Sequence, residues 1–156
     1  MSRRFLPLAM LLAVTIVGGA WIAGREDSGP TPLLSALRSD PIARYEPPGA
    51  RLTGTREQDQ GSSLGKAFKV HYARDFSVPG GDADAALTAA LRAAQEAGWQ
   101  FDGPPSEIPG EYGTTNGSLA TRTILGGQSA TLTIVLSTPP NASPSTPRTL
   151  QINVSA

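Results

Sequence analysis

Residues 67–101 read AFKVHYARDFSVPGGDADAALTAALRAAQEAGWQF, and this stretch decides the fold class. In Ala67–Phe76, Phe68, Val70 and Tyr72 alternate with Lys69, His71 and Ala73, the period of a strand with one buried face. Pro79-Gly80-Gly81 turns the chain, and Asp82 stands where a helix N-cap belongs. From Ala83 to Ala97 the period changes to that of a helix. Leu87 and Leu91 fall on one side, flanked by Ala83, Ala90 and Ala94, with Arg92, Gln95 and Glu96 opposite. Gly98 is the left-handed residue that ends such a helix, and Trp99-Gln100-Phe101 returns to alternation. A mostly alanine stripe packs closely on a sheet while contributing little side-chain area.

Toward the C-terminus the pattern is that of strands alone. Thr115–Leu125 and Gln128–Ser137 flank Gly126-Gly127, read as a two-residue hairpin loop. Ala130, Leu132, Ile134 and Leu136 alternate with Thr131, Thr133 and Val135. After a Pro/Ser/Thr-rich connection, Leu150, Ile152 and Val154 form a last alternating strand. Strand, helix, strand, hairpin and strand in that order predict an α+β fold. The expectation is a small two-layer domain over 49–156, with a mainly antiparallel sheet of four to five strands and one packed helix. A domain of that length buries roughly 60–70% of its chain surface, enough to fold alone.

Before residue 49 the reading changes. Arg3 and Arg4 precede Phe5–Ala23, FLPLAMLLAVTIVGGAWIA, a run without a charge. As a helix it would extend roughly 28 Å, close to the ~30 Å hydrocarbon core of a bilayer. The arginines would hold residues 1–4 in the cytoplasm and send the body across the membrane. A retained anchor at 5–23 is the expectation. Cleavage after Ala20 in Gly18-Gly19-Ala20 is the alternative, which would release a secreted protein. The twin arginine resembles an export signal, but Phe5-Leu6 comes one position early. Residues 24–48 are read as a stalk with a short helix: Thr31 is the N-cap and Pro32 the first helical residue. Leu33, Leu34 and Leu37 give it an apolar side. Pro41 ends it by disfavouring a helical Asp40, and Pro47-Pro48-Gly49 closes the segment.

Composition excludes several activities. With no Cys, disulfides, thiolate nucleophiles, Cys-ligated zinc and an N-terminal lipidated cysteine are all ruled out. Three of the thirteen basic residues precede residue 26, whereas all thirteen acidic ones follow it, leaving the body at about −3. A mildly acidic body has no electrostatic basis for nucleic-acid binding.

Candidate chemical residues each have an ordinary structural explanation. His71, the single histidine, would be a general base or ligand; alternation instead sets it on the outer sheet face with Lys69 and Ala73. Asp82 and Asp84 would suit a cation, yet acids in a first helical turn complement its dipole. Asp75, Asp102, Glu107 and Glu111 supply carboxylates for a glycosidase pair, though sequence does not place any two together. Gly80-Gly81 and Gly126-Gly127 lack the lysine and spacing of a phosphate loop and read as turns. Asn116, Asn141 and Asn153 each begin an N-x-Ser triplet, a pattern that threonine- and serine-rich chains produce by chance. Trp99 and Phe101 read as core rather than as an exposed ridge. The sequence thus assigns no catalytic, cofactor-binding or metal-ligating residue.

Leu34-Ser35-Ala36-Leu37-Arg38-Ser39-Asp40-Pro41-Ile42-Ala43, Pro47-Pro48-Gly49 and Ala97-Gly98-Trp99 together resemble small membrane-anchored proteins, of unassigned activity, from high-GC Gram-positive (actinobacterial) species. The resemblance implies an envelope location and a one-helix α+β domain, and it carries over no site residues. The functional expectation is a non-enzymatic envelope accessory or interaction domain. It would be single-pass, with a cytoplasmic N-terminus, and would contact the membrane through 5–23 and another envelope protein through its body. A secreted ligand-binding or inhibitor module is the alternative, and a carboxylate-dependent wall hydrolase a third reading.

Overall fold

A computed structural model describes residues 29–63, 66–111 and 113–156. The expected span at 5–23 and the basic end at 1–4 lie outside these residues. Among the described residues no helix is long and apolar enough to cross a membrane.

The elements run in chain order as α1 (Pro32–Ser39), α2 (Pro41–Arg44), β1 (Arg51–Gln58), β2 (Gly61–Ser63), β3 (Lys66–Phe68) and β4 (His71–Val78). They continue as α3 (Ala83–Glu96), β5 (Gln100–Phe101), β6 (Ser106–Gly110), β7 (Gly113–Thr123), β8 (Ser129–Thr138) and β9 (Arg148–Ser155). One antiparallel sheet has the order β1-β4-β9-β8-β7, with β5 and β6 pairing successive parts of β7 on its far side. β2 and β3 form a separate two-stranded ribbon. The α+β class, the antiparallel sheet and the packed helix are as expected.

The sheet has seven strands rather than four to five. The uncounted ones are edges. β1 is exposed along nearly its whole length, and every residue of β6 is exposed. A strand with no buried face has no reason to alternate, so period-2 reading passes over it. Pro109 in β6, and the charges and register shift at Leu52/Gly54 in β1, also blunt these edges against foreign strands.

The stretch 67–76 is not one strand. β3 ends at Phe68, and Val70 exchanges backbone hydrogen bonds of 3.1 and 3.0 Å with Ala156 before β4 begins. Val70 and Tyr72 nonetheless keep one phase, so the change of partner leaves no mark in the sequence. The β7–β8 loop is likewise longer than two residues. Thr123–Ser129 is the last pair, and Ile124 to Gln128 form a five-residue turn with Gly126 and Gly127 at positive φ.

α3 ends as its sequence requires. The Gly98 N–H donates to the Gln95 carbonyl at 2.9 Å and the Trp99 N–H to the Ala94 carbonyl at 3.0 Å, with Gly98 at φ +86°. This Schellman closure sends Trp99 straight into the core, where it is 3% exposed. The core lies between one sheet face and the helices. Phe76 and Val78, Leu132, Ile134 and Leu136, and Leu150, Ile152 and Val154 meet Ala83, Ala86, Leu87, Ala90 and Ala94 of α3.

Residues 31–46, read as stalk, pack into this same core. Leu34, Leu37, Ile42 and Ala43 are at most 3% exposed, so the packed unit begins near Thr31 rather than at residue 49. Thr31 caps α1 through Leu34 N, as expected, and Asp40 is extended (ψ 134°). Asp40 then caps a second helix through Ile42 N, with Pro41 at its first position, so the proline that ends α1 also starts α2.

Candidate functional site: the uncovered face of the sheet

All three helices lie against the face that carries Phe76, Ile134 and Ile152. Alternation sends the intervening residues to the other face, on which no described helix packs. From β9 come Thr149, Gln151, Asn153 and Ser155, and beside them on β8 stand Ser137, Val135, Thr133 and Thr131. β7 adds Thr115, Gly117, Leu119 and Thr121. The result is a broad surface of hydroxyls and amides.

Within it lies one apolar group. Ile108 of β6 is 62% exposed and Leu119 of β7 is 46% exposed. They flank Gly117, which pairs with Val135 and Ser106. A Cβ on Gly117 would stand 3.1 Å from Val135 Cγ2 and 2.8 Å from the Ile134 carbonyl oxygen. The missing side chain therefore leaves Val135 room toward β7, while Ile108, opposite Thr115, and Leu119 stand four residues apart along that strand, about 14 Å at 3.4 Å per residue.

The structure sets Asp75 apart from the other carboxylates noted in the sequence. Asp75, on the uncovered face, accepts from Arg56 at 3.0 and 3.1 Å and from Gln151 Nε2 at 2.8 Å. Glu107 lies four strands away on β6, about 19 Å at 4.8 Å per strand, where a glycosidase pair needs roughly 5–9.5 Å. Asp102, Glu107 and Glu111 are exposed along that edge. His71 sits at the start of β4 on the uncovered face, half-buried, between Gln58 and Ser155. Asp82 precedes α3 without a side-chain capping bond, and Asp84 pairs with Arg148 at 3.4 Å. No three of the described His, Asp and Glu side chains group as metal ligands. Trp99 is core and Phe101 half-buried. The Asn116 and Asn153 amide oxygens are buried without a partner in the structure.

The charged groups that are tightly held serve the fold, and sequence reading passed over them. Asp40, 4% exposed, accepts from Ile42 N at 3.0 Å, from Trp99 Nε1 at 3.3 Å and from Arg122. Arg122 also donates to the Ala97 carbonyl, and its guanidinium stacks 4.9 Å above the Trp99 ring. Arg74, 7% exposed, donates to the Ala43 and Tyr45 carbonyls and to Glu46, and lies 4.9 Å over Phe76. Two arginines from the sheet thus clamp residues 40–46 onto the domain. Further along, Thr31 donates to Asp59 through its hydroxyl and its N–H, which holds the Asp59 carboxyl below its ordinary pKa. Glu57 pairs with Arg38 and raises the guanidinium pKa.

Surface depressions are shallow and polar or alanine-lined. One, of about 480 Å³, lies between Pro48-Gly49 and the Ala85/Ala89 side of α3, and another, of about 390 Å³, between Glu111 and Thr138. Neither brings together groups that would move a proton or bind a phosphate. The chain matches no protein-family model, and no curated protein or solved structure is significantly similar to it.

Proposed function

We propose that this protein is a membrane-tethered interaction domain of the cell envelope, acting outside the cytoplasm through the uncovered face of its sheet. The observation that carries the reading is that face: a seven-stranded sheet with helices packed on one side and, among the described residues, no helix on the other. Open antiparallel faces are ordinary where they meet water. This one differs in setting Ile108, Val135 and Leu119 among uncharged hydroxyls and amides, a composition suited to a protein surface that desolvates on contact. The apolar run 5–23 after Arg3-Arg4 supports the tether and, with it, a place at the envelope.

The reading is non-enzymatic because Asp75 is held in an ion pair apart from the other carboxylates, those lie exposed along one edge, and His71 stands apart from them. Capture on cross-linked membranes tests it, using the full-length chain tagged at its C-terminus. A specific, stoichiometric partner is expected from the native chain, and its loss from Leu119→Asp, which leaves the core untouched. Undiminished capture by Leu119→Asp would move the contact to another surface. If no partner is captured, the secreted ligand-binding reading takes its place.

A further inference from the structure

The connection between β8 and β9 is longer than its hairpin needs. β8 ends at Thr138 and β9 begins at Arg148, so nine residues close a hairpin that about two to five usually close. They read Pro139-Pro140-Asn141-Ala142-Ser143-Pro144-Ser145-Thr146-Pro147, four prolines and three hydroxyls. No charge occurs from Thr123 to Pro147, and none of the nine belongs to the apolar core. The segment is nonetheless held. The Thr146 N–H donates to the Ser143 carbonyl at 2.9 Å, closing a turn with Pro144 and Ser145 at its corners. The Pro144 and Thr146 carbonyls lie so close to Gly80 that a Cβ there would meet both at 2.5 Å, which fixes the turn beside the start of α3. Ser143 and Ser145 are exposed, with their Oγ atoms 2.8 Å apart. Thr146 is half-buried, and its Oγ1 accepts from the Ser143 N–H at 2.9 Å.

We infer that this turn is an O-glycosylation site, with Ser145 as the acceptor and Ser143 beside it. The inference rests on the tethered reading above, which sets the body outside the cytoplasm. Hydroxyls set among prolines are the composition of O-glycosylated segments, because proline withholds the chain from helix and sheet and leaves the hydroxyls in solvent. The structure adds what composition lacks: an exposed hydroxyl at the corner of a pinned turn. The donor class is a polyprenyl-phosphate sugar, which a transferase at the outer membrane face can reach. The bond from sugar C1 to the phosphate oxygen breaks as C1 bonds to Ser145 Oγ. The hydroxyl proton passes to a base of the transferase, and polyprenyl phosphate leaves. The geometry disfavours N-linkage. Asn116 and Asn153 have buried amide oxygens, and in the Asn141 triplet the Ser143 hydroxyl bonds Ser145 and Thr146.

Between Arg122 and Arg148 there is no lysine or arginine, so trypsin releases the whole segment as one peptide, 123–148. Full-length chain tagged at its C-terminus would be purified from membranes of the source organism, beside the same chain made by cell-free synthesis without membranes. The peptide from cells is expected to be heavier by one or more whole hexose or N-acetylhexosamine masses, with fragmentation placing the sugar on Ser145 or Ser143. Ser143→Ala/Ser145→Ala should return the peptide to its bare mass. Ser143→Ala/Ser145→Thr, which keeps a hydroxyl at the corner, should retain the sugar. An unmodified peptide from chain whose body is open to protease added outside the cells refutes the site and leaves the tethered reading standing. Sugar mapped to Asn141 or to a strand hydroxyl such as Thr133, or sugar that survives the double alanine change, refutes the assignment to these serines. A body protected from protease until the cells are opened overturns the tethered reading and the site with it.

Discussion

Replacing Asp40 by alanine removes the acceptor on which three separate segments converge. Ile42 N–H, Trp99 Nε1–H and the Arg122 guanidinium all lose a partner at a side chain only 2% exposed. Breaking a buried ion pair by deleting one member typically costs 3–5 kcal/mol, because the other charge is stranded. The Arg122 side chain is 26% exposed and recovers part of its hydration, which lowers the figure. Loss of the α2 cap, at about 1 kcal/mol, and an unpaired indole N–H raise it again. The expected net loss is about 3 kcal/mol. At a urea slope near 1.5 kcal/mol/M, the midpoint should fall by about 2 M. In a chain of residues 26–156 Trp99 is the sole tryptophan, so its emission reports both the transition and the local change. Asp40→Asn keeps one oxygen acceptor and should lose about half as much. A midpoint within 0.3 M of the parent for Asp40→Ala would refute the account of how residues 31–46 are held.

Three further outcomes follow from the structure. Gly80→Ala should cost about 1–3 kcal/mol of overpacking, since its Cβ would meet the Pro144 and Thr146 carbonyl oxygens at 2.5 Å. Gly81→Ala, with open space around it, should stay within about 0.5 kcal/mol; thermal unfolding of the pair checks both. The Asp59 carboxyl has its pKa lowered in the folded state, chiefly by the Thr31 hydroxyl. Its stabilisation is therefore full above the ordinary value of 3.8 and is lost as pH falls through the lower folded value. Urea titrations from pH 5 to 2.5 should show an acid slope that Asp59→Asn reduces, and an unchanged slope would remove the role of this bond. Leu119→Asp, on the uncovered face, should leave the urea midpoint within about 0.5 kcal/mol of the parent while abolishing partner capture. A large loss of stability would show that Leu119 belongs to the fold.

Much of the fold was legible because its central elements are half-buried. Leu132, Ile134 and Leu136, and Leu150, Ile152 and Val154, alternate because each faces the core while its neighbours face water. Ala83 to Gly98 carries both its period and its stop. What was not legible divides in two. β1 and β6 bury no face, so nothing in Arg51–Gln58 or Ser106–Gly110 repeats. The Asp40–Arg122 and Arg74–Glu46 pairs join residues 82 and 28 positions apart, and local spacing contains no trace of such contacts. The stalk reading failed for the same reason. Leu34, Leu37 and Ile42 showed an apolar side, but the partner that covers it lies elsewhere in the chain.

Of the proposed site, the alternation of Thr131, Thr133 and Val135 placed an outer face. Only the pairing register revealed that Ile108 and Leu119 stand to either side of the Gly117–Val135 pair, since they come from three strands.

Site-specific photo-crosslinking in cells of the source organism tests the central claim most directly. A photoreactive residue would be placed in the full-length chain at Leu119, Thr133 or Gln151 on the uncovered face, and at Ala89 or Arg92 on α3. The account predicts a discrete adduct of one size from the three sheet positions and none from the helix positions. Adducts from the helix positions alone, or none from any position in chain that fractionates with the membrane, would contradict it.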